Sequence, residues 1–490
     1  MAGNEVQTAL LEGETTQPLE FRNTVQTSAP ENVKYHHGTD PSTRKPLWPV
    51  PVATSQDLEA AVEAAKHAFI SWSKTTWEFR QQLIRRMSEV LCDNEVELAN
   101  ILSKECGKPA NFAALEIQHS IRLLQFHANT PPLAETVVQD DDELRLVLKF
   151  QPLGIVGAIT PWNFPLVLSM GKIAAGLLTG NVVIVKPSPF APYSVLKFVE
   201  LQQKILPPGV LQGLNGDDSL GPSMVIHPDI PKISFTGSSV TGKKIMEAGG
   251  RLLKRMTLEL GGNDACIVCP DVDIAKVAVQ VALGAFFNSG QICVASKRIY
   301  VHQDIYTPFL KALTDVVRSW KVGPASEDVM LGPVQNEVQY GIVKGHIEEC
   351  KKKGLKFALG GEDINSGSDF VIQPAIIDNP PDDSMIVTQE PFGPIVPVLS
   401  WKTEEEVLSR ANDTMSGLGG SVWSRDIDTA YRLADAIDSG TVWINSFGKP
   451  LPQGYFSGHK ESGMGGELGR HGLLSYCNAK SIHHYKDASE

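Results

Sequence analysis

The chain has 490 residues, of which 42% are hydrophobic and 20% are charged. At roughly 150 residues per domain, this length predicts two or three domains, and the composition excludes a disordered polymer. The 56 acidic residues outnumber the 44 basic ones, so the formal net charge is −12. A chain with this balance is not expected to bind nucleic acid or an anionic membrane.

The cysteine content argues against disulfide cross-links and against a zinc site. Seven cysteines are few for this length and odd in number, which favours a reducing, cytoplasmic location over a disulfide scaffold. Cys266 and Cys269 lie in an apolar strand pattern without a second pair, so burial is predicted and a zinc site is not. No secretory signal is expected, because the first thirty residues contain four glutamates and no apolar region. No membrane-spanning segment is expected, because two prolines and an asparagine interrupt a longest apolar stretch such as residues 154–170.

Three patterns describe the first third of the chain. Residues 1–50 are polar and are expected to form a surface arm at most. Helical periodicity of apolar residues extends from Ser55 to about Thr130. Leucines alternate with polar residues between Asp141 and Phe150, which predicts a strand with one solvent-exposed face, as is typical of a strand at a sheet edge.

From residue 154 onward, short apolar runs alternate with helical stretches. This rhythm predicts an α/β fold with doubly wound, largely parallel sheets in two interlocked domains. The predicted elements are strands over 181–185, 232–236, 255–260 and 298–301 and helices over 192–205, 274–287 and 306–320.

Residues 237–244 (GSSVTGKK) nearly match a phosphate-binding loop. Lys244 occupies the position where that loop needs Ser or Thr to hold Mg²⁺, which argues against a nucleoside triphosphatase. Gly237 and Ser238 could still present N–H groups to a dinucleotide pyrophosphate, or the glycines could only make a tight turn. No Gly-x-Gly-x-x-Gly fingerprint follows a predicted strand. Lys186 ends the buried run at 181–185, where it could be solvated or could reach ribose hydroxyls.

Four residues in stiff or glycine-containing segments are candidates for chemistry. A lone cysteine such as Cys293 is more often a buried small hydrophobe than a nucleophile, but its polar Asn-Ser-Gly-Gln surroundings favour a reactive thiol. Glu259 precedes a two-glycine turn and Glu390 lies in a proline-rich turn, and each could be a solvated or a functional acid. Asn163 lies between two prolines, and its amide is a suitable donor to an oxyanion.

Together these segments resemble the aldehyde dehydrogenase superfamily. They occur in the order found in that family and cover roughly residues 50–480. The matching segments are PWNFP (161–165), KPS (186–188), FTGS (235–238), ELGGN (259–263), GQICVAS (290–296), EPFGP (390–394) and SGMGGELG (462–469).

The resemblance implies oxidation of an aldehyde to a carboxylic acid with NAD or NADP. Cys293 would attack the aldehyde to form a thiohemiacetal, whose oxyanion is held by Asn163 and the Cys293 backbone N–H. Loss of hydride would leave a thioester, and Glu259 would activate the water that hydrolyses it. Among the cofactor-binding residues, Lys186 would contact the adenosine ribose, Ser238 the pyrophosphate and Glu390 the nicotinamide ribose. The implied cofactor-binding set is completed by Trp162, Ser188, Gly237 and Phe392.

The resemblance also implies a domain organisation. Residues 1–135 and 152–260 would form a Rossmann-like dinucleotide-binding domain without the glycine fingerprint, and residues 261–460 the catalytic domain. Residues 136–151 and 478–490 would form a small β element that joins subunits into a homodimer or homotetramer.

The chain departs from the family pattern at three places. Pro189 stands where many NAD-preferring members have Glu, so NADP becomes admissible. Gly171 stands where members with a narrow substrate tunnel often have Trp, which predicts a wider tunnel that tolerates bulkier aldehydes. The segment 454–460 differs from the family's PFGGYK, so its contacts are not carried over.

Three alternative functions are compatible with parts of this pattern. A CoA-acylating dehydrogenase would pass the acyl group to CoA, but the presence of Glu259 favours water. A catalytically silent homologue could act as a binding protein, although Cys293, Glu259 and Asn163 are all present. A cysteine hydrolase would need no dinucleotide.

Overall fold

The computed structural model describes residues 19–362 and 369–486. The helical region predicted from Ser55 onward is confirmed. Thr54 caps its first helix through a reciprocal hydrogen-bond pair with Asp57, and Leu58 and Val62 belong to its buried face. The helices of this region are Ser55–Trp72, Trp77–Asp93, Glu95–Cys106 and Ala110–Ala128.

A six-stranded sheet forms the centre of the N-terminal half. In spatial order its strands are Gly463–Met464, Arg255–Glu259, Lys232–Thr236, Ile155–Ile159, Val182–Lys186 and Leu211–Gly213. All neighbours are parallel except the first pair. The chain enters the sheet at Ile155–Ile159 and winds outward in both directions, and such sheets bind ligands beyond the strand carboxyl ends at this reversal. The connecting helices are Pro165–Leu178, Tyr193–Gln202, Leu220–Ile226 and Ser239–Gly250.

A seven-stranded sheet organises the second half. In spatial order its strands are Phe357–Leu359, Ala375–Asp378, Ile395–Trp401, Ser296–His302, Asp264–Val268, Gly419–Trp423 and Thr441–Ile444. Along the strand Asp264–Val268, Ile267 belongs to one buried cluster and Cys266 and Val268 to another, so both faces of the sheet are covered. Its helices are Ile274–Phe286, Tyr306–Arg318, Glu337–Lys352, Met385–Thr388, Glu404–Asn412 and Ile427–Ala436.

These two sheets confirm the predicted class of two doubly wound α/β domains. The seven predicted strands and helices are all present, with shifts only at their ends. The predicted burial of Cys266 and Cys269 is also confirmed. None of the helices in the described ranges has both the length and the hydrophobicity needed to cross a membrane.

A three-stranded sheet stands apart from both cores. Leu144–Pro152 lies between Thr136–Asp140 and Cys477–Tyr485, so the predicted edge position of this strand is wrong. The reason is a pairing from far along the chain: Cys477–Tyr485 pairs with the full length of the strand. Every residue of Thr136–Asp140 is exposed. The terminal residues 487–490 of the predicted bridging element lie outside the described residues.

The prediction that residues 1–50 form a surface arm is wrong for residues 19–50, and residues 1–18 lie outside the described part. Tyr35–Thr39 and Pro46–Pro51 form an antiparallel hairpin. Phe21 is buried, and its ring meets that of Tyr193 at a centroid distance of 4.8 Å. Polar composition misled the prediction because a few apolar side chains suffice to attach a hairpin to a core formed by other segments.

The remaining described elements are short. They are the 3₁₀ helices Pro30–Asn32 and Phe287–Gly290, the helix Gly469–Leu474 and the strand pairs Ser416–Gly417 with His459–Lys460 and Phe456–Ser457 with Gly466–Glu467.

Candidate active site

The loop that carries Cys293 is strained. Asn288, Ser289 and Gly290 have consecutive positive φ angles of 52°, 54° and 73°. Such left-handed conformations are costly for residues other than glycine and are found where a surrounding structure enforces them. Here Ser289 Oγ donates a hydrogen bond to the Gly332 carbonyl at 2.7 Å. Cys293 follows this sharp reversal and is half-buried beside a small hydrophobic cluster that contains Val294.

Asn163 is held against this loop. It follows the strand Ile155–Ile159 and is only 5% exposed. Its Nδ2 donates to the Gln291 carbonyl at 3.0 Å, and Asn288 Nδ2 donates to the Asn163 carbonyl at 3.4 Å. The predicted oxyanion donor therefore lies next to the residues that precede Cys293.

The pKa of the Cys293 thiol is raised. Burial raises the pKa of Cys293, and the charges of Glu259, Asp264 and Glu390 raise it further, in that order. The neutral thiol is therefore the stable form at neutral pH, and nucleophilic attack requires a base to remove its proton.

Glu259 ends the strand Arg255–Glu259 and is 4% exposed. Thr236 Oγ1 donates to its Oε2 at 2.9 Å. Burial raises the pKa of Glu259 to about 8, and the charge of Glu467 contributes in the same direction, whereas Lys172 lowers it. A carboxyl group with this pKa exchanges protons near neutral pH, as a general base must.

A buried polar chain extends from Glu259 into the six-stranded sheet. Lys172 Nζ donates to Thr236 Oγ1 at 2.8 Å and also to Glu467 Oε1. Ser234 Oγ donates to the same Glu467 oxygen at 2.7 Å. We call Glu259, Thr236, Lys172, Glu467 and Ser234 the polar chain.

Sequence patterns alone assign no role to Lys172 or Glu467. Glu467 belongs to one of the matching motifs, but 295 residues separate the two partners, so only the fold brings them together. Gly171 adjoins the same chain, since a Cβ built there would lie 3.3 Å from Glu467 Oε2. The wider tunnel predicted from Gly171 stays a prediction.

Glu390 has an unpaired oxygen. Its Oε1 is buried and has no hydrogen-bond partner among the described residues. A Cβ at Gly261 would approach its Oε2 to 2.8 Å, so the glycine allows the carboxyl group to lie there. Burial raises the pKa of Glu390 to about 8, which the charge of Lys297 opposes. An orphaned buried acceptor requires a donor, and a ribose hydroxyl would supply one.

The rings of Trp162 and Phe392 are in contact although the two residues belong to different halves of the chain. Trp162 follows the strand Ile155–Ile159 of the six-stranded sheet, and Phe392 precedes the strand Ile395–Trp401 of the seven-stranded sheet. Their rings are edge to face, with centroids 5.5 Å apart and an interplanar angle of 88°. Phe392 has a φ of 46°, which is unusual for an aromatic residue. Two predicted cofactor-binding residues are thus in contact between the two halves.

Lys186, Ser188, Gly237 and Ser238 lie at the carboxyl ends of two parallel strands. Lys186 Nζ donates to the Pro187 carbonyl at 3.3 Å, and burial lowers its pKa to about 8. Ser188 Oγ accepts from the Phe190 N–H at 3.3 Å and so supports the turn. Ser238 caps the helix Ser239–Gly250, which begins at this edge.

Gly237 is required by close packing. A Cβ there would lie 2.4 Å from the Phe235 ring. Together with the sheet reversal at Ile155–Ile159 and the orphaned Glu390 oxygen, this edge fits a dinucleotide, with its pyrophosphate at the N-terminus of the helix Ser239–Gly250.

A buried ion pair supports the segment that contains Asn163. Glu116 Oε1 accepts from the N–H groups of Leu166 and Val167, at 2.9 and 3.2 Å, and so caps the helix that begins at Pro165. Lys108 pairs with Glu116, and both side chains are almost completely buried. The Lys108 Nζ also lies 3.7 Å from the centroid of the Phe164 ring.

We expect Glu116→Ala to lower the free energy of unfolding by about 3–5 kcal/mol, because it leaves the Lys108 charge buried and unpaired. Urea denaturation measures this change. The exposed pair of Lys66 and Glu63, 2.8 Å apart, provides the control, and Glu63→Ala should cost less than about 1 kcal/mol. Equal losses in the two variants would contradict the assigned importance of the buried pair.

Comparison with known proteins identifies the relationship. The model of the Aldehyde dehydrogenase family matches residues 28–482. The chain belongs to this family. Aldehyde dehydrogenase LUC3 of a Fusarium species is 40% identical over 453 residues, covering 92% of this chain and 96% of that protein. The peroxisomal aminoaldehyde dehydrogenase 1 of Pisum sativum is 36% identical, covering 91% and 92%.

Solved structures agree with this assignment. The NAD⁺ complex of an aldehyde dehydrogenase from Bacillus cereus superposes with a TM-score of 0.92 at 32% identity, over 98% of each chain. The resemblance inferred from the motifs is therefore confirmed. The protein is therefore an NAD(P)-dependent aldehyde dehydrogenase.

Proposed function

We propose that this chain oxidises an aldehyde to a carboxylic acid with Cys293 as nucleophile, Glu259 as general base and Asn163 as oxyanion donor. The observation that carries the proposal is the convergence of these groups. Asn163 contacts the loop of Cys293, and the turn after Glu259 packs on the same loop, since a Cβ at Gly262 would lie 2.3 Å from the Cys293 carbonyl oxygen.

Attack by the Cys293 sulfur on the aldehyde carbon forms a thiohemiacetal. The thiol proton passes to a base, and the carbonyl oxygen becomes an oxyanion. Asn163 Nδ2 would stabilise that oxygen by exchanging its bond to the Gln291 carbonyl for one to the substrate. The Cys293 backbone N–H is the proposed second donor.

Glu259 is proposed to act in the hydrolytic step. It removes a proton from a water molecule, which attacks the thioester carbon, and the acid leaves as the Cys293 sulfur regains a proton. The polar chain orients the carboxyl group, because Lys172 Nζ donates to Thr236 Oγ1, which in turn donates to Glu259 Oε2. Burial, followed by the charge of Glu467, raises the pKa of Glu259 to about 8, so both protonation states are accessible near neutral pH.

The cofactor, when bound, accepts the hydride that the oxidation releases. We assign its binding to Lys186 at the adenosine ribose, Ser238 and Gly237 at the pyrophosphate, and Glu390 at the nicotinamide ribose. Ser188, Trp162 and Phe392 are proposed to shape the surrounding walls. The orphaned Glu390 oxygen and the cap at Ser238 support this assignment.

A kinetic screen tests the proposal. A panel of aldehydes is offered with NAD and NADP in parallel, with and without CoA, while reduced cofactor and products are measured. Free acid without CoA is the expected product. Acyl-CoA without free acid would favour the CoA-acylating alternative, and no reduced cofactor with any aldehyde would favour a silent homologue. Cofactor-independent ester or amide cleavage as the main activity would favour a cysteine hydrolase.

We further propose that residues 1–135 and 152–260 bind the cofactor, that residues 261–460 carry the nucleophile, and that the enzyme is cytoplasmic. The six-stranded sheet, which holds Lys186 and Ser238, supports the first assignment, and the loop of Cys293 beside the seven-stranded sheet supports the second. All seven cysteines are unpaired, which fits a reducing compartment.

The three-stranded sheet is proposed to join subunits into a homodimer or homotetramer, because its strands have little core of their own. We expect light scattering to give two or four times the chain mass of 53.3 kDa. Replacing the exposed Ile482 by Lys should shift the mass towards one chain, whereas Leu451→Lys, an equally apolar exposed site elsewhere, should not. A monomeric wild-type protein would contradict the proposal.

A further inference from the structure

The surroundings of Lys186 contain two aspartates from a different loop. The strand Val182–Lys186 pairs with Leu211–Gly213, so the segment after the second strand emerges beside Lys186. A Cβ at Gly221 would lie 3.8 Å from Lys186 Cε, which shows that the lysine stem lies against the start of the next helix. Asp217 and Asp218 precede that helix, Leu220–Ile226, and are separated from it only by Ser219.

The two aspartates differ in their partners. Asp217 accepts hydrogen bonds from the Ser219 N–H at 3.0 Å and from its Oγ at 2.6 Å, and Lys34 lies 3.7 Å away. Asp218 is exposed and has no hydrogen bond or ion pair with any residue in the described ranges. Asp218 is therefore the uncompensated negative charge of this loop.

The charge of Asp218 acts on Lys186. Burial lowers the pKa of the lysine to about 8, and Asp218, followed by Asp217, opposes this effect. Lys186 itself forms no ion pair with a described residue, and its ammonium donates only to the Pro187 carbonyl. The proposed ribose site thus combines one buried cation with a free carboxylate.

The position that usually carries the discriminating acid is occupied by Pro189. Its carbonyl accepts a hydrogen bond from the ring of His36 at 3.0 Å, which attaches this turn to the N-terminal hairpin. No carboxylate is available at this position, but the loop that carries Asp218 follows the neighbouring strand and lies beside the same lysine.

We propose that Asp218 replaces the glutamate that many NAD-preferring members have at the position of Pro189, and that the enzyme therefore prefers NAD to NADP. A carboxylate can accept a hydrogen bond from a ribose hydroxyl, whereas it repels the 2′-phosphate of NADP. This inference rests on the proposed function, because it assumes that Lys186 marks the adenosine ribose. It reverses the expectation that Pro189 alone makes NADP admissible.

Cofactor binding measured by calorimetry, without aldehyde, tests the inference. We expect the wild-type protein to bind NAD at least tenfold more tightly than NADP. Asp218→Asn should reduce this ratio about five- to tenfold, the effect expected for removal of one nearby like charge. The change should come mainly from tighter NADP binding. Because Asp218 is exposed, the variant should fold normally, as thermal melting would verify.

Two further variants sharpen the test. Asp229→Asn removes an equal charge beyond the other end of the same helix, where Asp229 pairs with Lys66 at 3.2 Å, and should leave the ratio unchanged. Adding Pro189→Glu to Asp218→Asn should restore the preference for NAD. Tighter binding of NADP by the wild type, or an unchanged ratio in Asp218→Asn, would overturn the inference alone. Failure to bind either cofactor would overturn the proposed function as well.

Discussion

Cys293→Ser should reduce aldehyde oxidation at least about 10³-fold, because a serine hydroxyl is a far weaker nucleophile than a thiol in the same loop. Steady-state production of reduced cofactor measures this loss. Cofactor binding should stay within about twofold of the wild-type value, because the side chain is nearly isosteric. A loss of oxidation together with retained binding would separate a chemical role from a structural one.

The chain contains a suitable control for that experiment. Cys92 is an exposed cysteine on the helix Trp77–Asp93, and Cys92→Ser should leave both oxidation and cofactor binding unchanged. Near-normal oxidation in Cys293→Ser would refute the proposed nucleophile. Equal losses in both variants would instead indicate a general effect of removing thiols.

Glu259→Gln should allow a first burst of reduced cofactor but slow steady-state turnover by about 10²–10⁴-fold. The reason is that the oxidation needs only the thiohemiacetal, whereas release of the acid requires activated water. Stopped-flow absorbance separates the burst from the slow phase. Glu247→Gln, on an exposed helix surface, is the matched control and should change neither phase. A steady-state rate within twofold of wild type would contradict the general-base assignment.

The raised pKa of Glu259 predicts how steady-state turnover depends on pH. A general base works when deprotonated, and the pKa of Glu259 is raised to about 8 by its burial and by Glu467. Steady-state turnover of the wild type should therefore increase as the pH rises through about 8 and decline below it. Glu259→Gln should abolish that rise. A flat profile between pH 6.5 and 9 in the wild type would show that another group limits hydrolysis.

Local sequence patterns predicted the strands and helices themselves, but they did not predict which elements lie next to one another in the fold. The run ending at Lys186 was recognisable as a strand because buried parallel strands are continuously apolar. The strand Leu144–Pro152 was recognisable by its alternation, but its central position was not, because its second partner comes from the C-terminal region. The hairpin that includes Val50 was missed for the same reason, since its core is supplied by distant helices.

The odd number of cysteines and the acidic charge balance limited the function classes, and the motifs around Cys293, Glu259 and Asn163 identified the chemistry. These inferences came from sequence because each motif is continuous and its turn residues act locally. Tertiary structure alone decided the environment of those groups. The polar chain joins Glu259 to Glu467 through residues of a neighbouring strand and a helix. The loop that carries Asp218 lies beside Lys186 because the strands Val182–Lys186 and Leu211–Gly213 are adjacent and parallel. Burial and through-space charge, which set these pKa values and the proposed cofactor preference, depend on distances between residues that the order of the chain does not contain.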